Sequence, residues 1–172
     1  MQRFIFILVV IVFAALAGPT LMQWGVEALP NDDAASARSA EKPAYRPSGR
    51  GTVILGAGRN GHFSTTARIN NRFVDVLVDT GATAVALPYE EAVRLGIRPG
   101  NSDFTIEIST ANGIQKSAPA LLSEVRIDTI RVYDVPALIA PRGALSTTLL
   151  GMSFLRQLKN VEMRGNELVM QQ

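Results

Sequence analysis

From Thr52 onward the apolar residues recur in short runs of period two separated by small polar turns, a pattern that leaves few architectures open. His62 to Ile69 alternates, with Phe63, Thr65, Ala67 and Ile69 on one face. Asn70-Asn71 follows as a turn, because Asn tolerates the left-handed backbone of tight hairpins. Phe73 to Val78 returns as a mostly apolar strand, expected to be buried on both faces. Thr105 to Thr110 and Ile114 to Ala118 flank a turn at Ala111-Asn112-Gly113, and Leu121 to Asp128 and Ile130 to Val135 add two strands. Val161 to Met163 and Glu167 to Val169 close the chain around Arg164-Gly165-Asn166. Helical signals are confined to Pro88–Leu95, stopped by Gly96, and to Met152–Leu158. The expected fold is all-β, a sandwich or barrel with one or two short helices, spanning residues 51–172.

Two segments precede that domain. Phe4 to Ala17 is an unbroken apolar run behind Arg3, extended past Gly18-Pro19-Thr20 by Leu21, Met22, Trp24 and Val26. As a helix, residues 4–26 reach ~34 Å, enough to span a bilayer. The shorter reading is a signal peptide cleaved at Ala15-Leu16-Ala17. Residues 1–26 are therefore an anchor or a signal segment. Arg3 favours the cytoplasmic side and Glu27, Asp32 and Asp33 open the other flank, so both readings export the domain. Residues 27–50 mix Ala, Ser, Pro and charge without apolar period and read as a flexible linker.

Composition narrows the chemistry. The chain has no cysteine and one histidine, His62, which excludes thiol catalysis, thiolate metal sites and multi-histidine metal sites. Seventeen basic against fifteen acidic side chains leave a formal charge of +2, which argues against a nucleic-acid binder. Gly56-Ala57-Gly58-Arg59-Asn60-Gly61 fits G-x-G-x-x-G, with Asp79 further on. The residues after Gly61 have period two, however, and a dinucleotide site needs a helix there. The glycines read as a turn between strands, and His62 as a strand residue. Carboxylate chemistry remains, or backbone-mediated binding, or no chemistry at all.

The informative segment is Val76-Leu77-Val78-Asp79-Thr80-Gly81-Ala82-Thr83. An acid ending a buried strand is costly unless it is hydrogen-bonded, and Thr80 and Gly81 suit a tight loop whose backbone approaches the carboxylate. Asp79 capping a turn is the bland alternative. In its context the segment resembles the active-site loop of single-lobe, retroviral-type aspartic proteases, the retropepsins. The hairpin 105–117, with Ala111, Asn112 and Gly113 at its tip, lies where that family carries a substrate-binding flap. Leu149-Leu150-Gly151 resembles the second hydrophobic-Gly element, followed by a short helix, and the segment Glu167–Val169 sits where members build a dimer sheet. The resemblance is to the bacterial, membrane-anchored branch.

The resemblance implies catalytic Asp79, paired with Asp79 of a second chain, with Thr80 and Gly81 in support. It implies an endopeptidase acting on polypeptides as a homodimer, without metal or organic cofactor. The location implied is the bacterial inner membrane with the domain in the periplasm, or the periplasm itself after signal cleavage. Thr83 and Met152 stand where viral members carry an Asp–Arg ion pair. Asp128-Thr129 imitates the active-site pair, but Ile130 replaces the Gly, so it reads as a turn. The competing function is a catalytically silent, membrane-tethered β domain that binds peptides or a partner protein.

Overall fold

The computed structural model describes residues 45–47, 49, 51–110 and 113–172. The apolar segment 1–26, most of the linker, and Ala111 and Asn112 lie outside the described residues. Among those described, no helix is long and apolar enough to cross a membrane.

Among the described residues, eleven strands and two short helices follow in order. They are β1 (Tyr45–Pro47), β2 (Thr52–Gly56), β3 (Phe63–Ile69), β4 (Arg72–Val78), β5 (Val85–Leu87) and α1 (Tyr89–Arg94). After a 3-10 turn at Asn101–Asp103 come β6 (Ile106–Thr110), β7 (Gly113–Ile127), β8 (Ile130–Ile139) and β9 (Thr148–Leu150). The chain ends with α2 (Met152–Leu155), β10 (Asn160–Arg164) and β11 (Glu167–Gln171). β1 falls inside the stretch read as linker, so among the described residues paired backbone is already present at Tyr45, ahead of Gly51.

Strands β3-β4-β9-β5-β8-β7 form a sheet that closes on itself where β3 pairs with β7, giving a six-strand barrel. Closure leaves one interior, and the strands alternate accordingly. Val74, Val76 and Val78 of β4 are buried, whereas Phe73 is 70% exposed. The expectation that β4 is buried on both faces is thereby corrected: a barrel strand has only one dry face. The β3–β4 turn is as the sequence reads. Asn70 and Asn71 both have positive φ, 44° and 73°, as a two-residue hairpin turn requires. Asn70 Oδ1 also accepts from Ser123 N and Ser123 Oγ, both at 2.9 Å, which ties this turn to β7.

β7 is one fifteen-residue strand, not two. Its first part pairs with β6 as far as Ser117, and its far end pairs with β3 at Val125 and Arg126. Pro119 lies between, where β7 has a described neighbour on one side only and a residue without N–H is tolerated.

The second sheet has the order β1-β2-β11-β10. β11 is therefore an inner strand, with β10 on one side and β2 on the other. This corrects the reading of Glu167–Val169 as a strand that pairs between subunits: both of its edges are filled by its own chain. The polar Glu167 and Gln171 end a strand whose middle, Leu168 to Met170, is buried. Gly56 to Gly61 makes the turn into β3, with Gly58 N donating to His62 O at 2.8 Å and no helix following. Asp128, at φ 49°, sits in the β7–β8 turn between the paired residues Ile127 and Ile130.

Candidate active site

β4 and β9 run parallel, with Leu77 beside Leu149 and Val78 beside Leu150. Both strands stop at the same level, so the loop starting at Asp79 meets the loop starting at Gly151. Asp79 N donates to Leu150 O at 3.2 Å, and Met152 N donates to Ala82 O at 2.8 Å. Gly151 is buried so tightly against the carbonyl oxygens of Ala82 and Ala84 that no side chain fits there. The two segments singled out in the sequence, 79–82 and 149–151, are thus stitched together by backbone.

Asp79 is half-buried, and its Oδ1 accepts from Gly81 N at 2.8 Å. A β-carbon at Gly81 would stand 3.2 Å from that oxygen, tighter than ordinary contact, so glycine permits the approach. One carboxylate oxygen is held by its own loop. Thr80 beside it is exposed.

The Asp79 loop forms one wall of a cavity of about 350 Å³. Ile108, Ser109 and Thr110 of β6 line it from the hairpin side, and Leu138, Ala140 and Leu145 line it from the barrel side. Among the described residues lining it, Asp79 is the one acid. The hairpin arms are held in register by pairs from Ile106–Ser117 to Thr110–Gly113, and Thr110 Oγ1 donates to Gly113 O at 2.8 Å. Of the expected tip, Gly113 begins β7 with φ 105°, while Ala111 and Asn112 lie outside the described residues. Leu149 lines the cavity and Leu150 is buried behind it.

Sequence reasoning missed Ser153. Its Oγ accepts from Val85 N at 2.9 Å and donates to Pro136 O at 2.7 Å, locking α2 to β5 and β8 behind the cavity. Its only signal was a hydroxyl two residues beyond Gly151. Leu138, Ala140 and Leu145 gave none, since alternation identifies a face but not its partner.

Residues 65–157 match a family described as "gag-polyprotein putative aspartyl protease". The crystal structure of a retropepsin-like aspartic protease from Rickettsia conorii superposes with a TM-score of 0.63 at 33% identity, covering 70% of this chain and 89% of that one. An uncharacterized protein of a Sinorhizobium species is 42% identical over 120 residues, which are 70% of this chain and 52% of the relative. An uncharacterized protein of Rickettsia prowazekii is 35% identical over 133 residues, 77% of this chain and 57% of the relative. The chain thus spans little more than half the length of these two relatives.

Proposed function

Since the chain belongs to the retropepsin-like aspartic protease family, we propose that it is an endopeptidase whose catalytic group is Asp79. The observation that carries this reading is the placement of one carboxylate, oriented by Gly81 N, in the wall of a cavity flanked by the β6–β7 hairpin. One carboxylate is half of the chemistry. Peptide hydrolysis without metal or nucleophile needs an ionised acid to take a proton from water and a protonated acid to polarise the carbonyl. Two carboxyls about 3 Å apart divide these roles, because like charges that close cannot both ionise. The second is Asp79 of another copy, across a two-fold axis.

In that dimer the Gly81 amide holds one oxygen of each Asp79 and leaves the other for water or for the second carboxyl. The hairpin arms supply backbone donors and acceptors to an extended peptide, and Thr80 braces the pair. The apolar walls at Ile108, Leu138 and Leu145 fit apolar side chains on either side of the cleaved bond. Residues 4–26 anchor the chain in the bacterial inner membrane and hold the domain on the periplasmic side.

The test is Asp79→Asn in the full-length chain, purified in detergent and incubated with a peptide library. Cleavage should fall at least ~10³-fold while circular dichroism is unchanged. A folded Asp79→Asn protein that cleaves as the wild type does overturns the reading. A wild-type protein that binds library peptides and cleaves none supports a silent binding domain instead.

A further inference from the structure

Two polar residues are buried among the described residues, Ser117 at 4% exposure and Thr148 at 2%. Of the two, Ser117 lines the cavity beside Asp79. It stands on β7 opposite Ile106, at the foot of the hairpin. Its hydroxyl has no hydrogen-bond partner among the described residues. Ser153 shows what a structural serine does here, since its Oγ both accepts and donates. A hydroxyl kept from water without a partner costs stability, and an apolar group in its place would serve the fold as well or better. The fold gives no reason for Ser117. The wall around it is apolar and short. Ala82, Ala84, Ala86 and Ala140 line the cavity together with Leu138, leaving open space where longer side chains would fill it. The other wall hydroxyls, on Thr83, Ser109 and Thr110, belong to exposed residues. Among the described lining residues there is no base, and Asp79 is the one acid.

We propose that Ser117 determines specificity: its hydroxyl selects a substrate side chain with an apolar stem and a neutral hydrogen-bonding end, as threonine, asparagine and glutamine have. The proposal rests on the protease reading and names the substrate class that the same cavity takes. The alanine wall and Leu138 receive the stem. A serine hydroxyl donates one hydrogen bond and accepts others, so it satisfies a hydroxyl or an amide alike. A charged end is a poor fit, because burying a charge without a partner costs far more than one hydroxyl returns. An acidic end finds no cation in the wall. A basic end finds its counter-charge only in Asp79, which the chemistry already uses. A wholly apolar end leaves the Ser117 hydroxyl unpaired in the complex, and that penalty is the source of the discrimination.

Peptides matched in shape separate polarity from size. A good library substrate is varied at each position around the cleaved bond, as threonine against valine, asparagine against leucine, and glutamine against methionine. With the full-length chain in detergent, kcat/KM at one position should favour the polar member roughly tenfold. Ser117→Ala should abolish that preference by slowing the polar peptide, and Ser117→Thr should keep most of it. The melting temperature of Ser117→Ala should be no lower than that of the wild type. A serine that merely supports the fold would instead lower the melting temperature and slow both peptides alike. Wild type without a polar preference at any position overturns the proposal. So does a preference that survives Ser117→Ala, or a Ser117→Ala chain that fails to fold. The readings fail separately, because binding of the same peptides to Asp79→Asn protein reads selectivity without cleavage. Selective binding lost in the Ser117→Ala background, with cleavage untouched by Asp79→Asn, keeps the role of Ser117 and discards the protease. Cleavage that needs Asp79 and ignores the polar exchange discards the role of Ser117 and keeps the protease.

Discussion

A β-carbon built on Gly151 would lie 2.1 Å from the carbonyl oxygen of Ala84 and 2.7 Å from that of Ala82. Both obstacles are backbone of the loop that carries Asp79, so the clash cannot be relieved by turning a side chain. Gly151→Ala should therefore push the 79–84 loop outward, costing roughly 3 kcal/mol of stability and most of the activity. Chemical denaturation and peptidase assay of the same preparation check both. A Gly151→Ala protein with full stability would mean that the loops are not in contact.

Ser153 is a second support, at one remove from the chemistry. Ser153→Ala leaves the part-buried amide of Val85 and the carbonyl of Pro136 without this partner. The expected cost is about 1–3 kcal/mol. Ser153→Thr keeps the hydroxyl and should recover part of the loss, which thermal melts of the two variants will measure.

Asn70 serves the fold in two ways that substitution can separate. Its φ of 44° favours Asn or Gly, and its Oδ1 accepts from Ser123. Asn70→Gly keeps the turn and loses the clasp, whereas Asn70→Ala loses both. Asn70→Ala should be the less stable by roughly 1 kcal/mol, read from urea midpoints at equal slope. Equal midpoints would show that the left-handed backbone costs alanine nothing there.

If Asp79 works as the proposed dyad, activity depends on a shared proton. The rate of peptide hydrolysis should fall on the alkaline side as that proton is lost, and again in strong acid when both carboxyls are protonated. A rate that climbs steadily to pH 9 would require a different base.

The apolar run at residues 4–26 makes a further prediction. Alkaline carbonate washing should leave the chain in the membrane pellet, and deleting residues 4–26 should release it. Protease added to intact spheroplasts should degrade the domain. Protection with the membrane intact would reverse the topology.

What the sequence revealed and what it hid divide along one physical line. Local chemistry was legible. Asn70-Asn71 announced a turn because few residues accept positive φ. Asp79-Thr80-Gly81 announced a carboxylate held by backbone, and Gly81 N does hold it. Pairing was not legible. Alternation in Glu167–Val169 marks a strand without saying whose edges it fills, and here β2 and β10 fill them. Phe73 reads as core by hydrophobicity, yet it stands on the outer face of a closed barrel. β5, three residues long, falls below the length at which a period can be seen.

β7 carries the last consequence. Its fifteen residues, roughly 50 Å at about 3.3 Å each, form one arm of the hairpin over the cavity, cross the barrel wall beside β8, and end against β3 next to the Asn70–Ser123 clasp. An arm built this way has no hinge at its foot. Such an arm would bend as a beam does, clamped at one end, and on the protease reading the stiffness met by an entering peptide would be set by anchorage at the far end of the same strand. Slackening that anchorage would soften the roof of the cavity without touching a single residue that lines it.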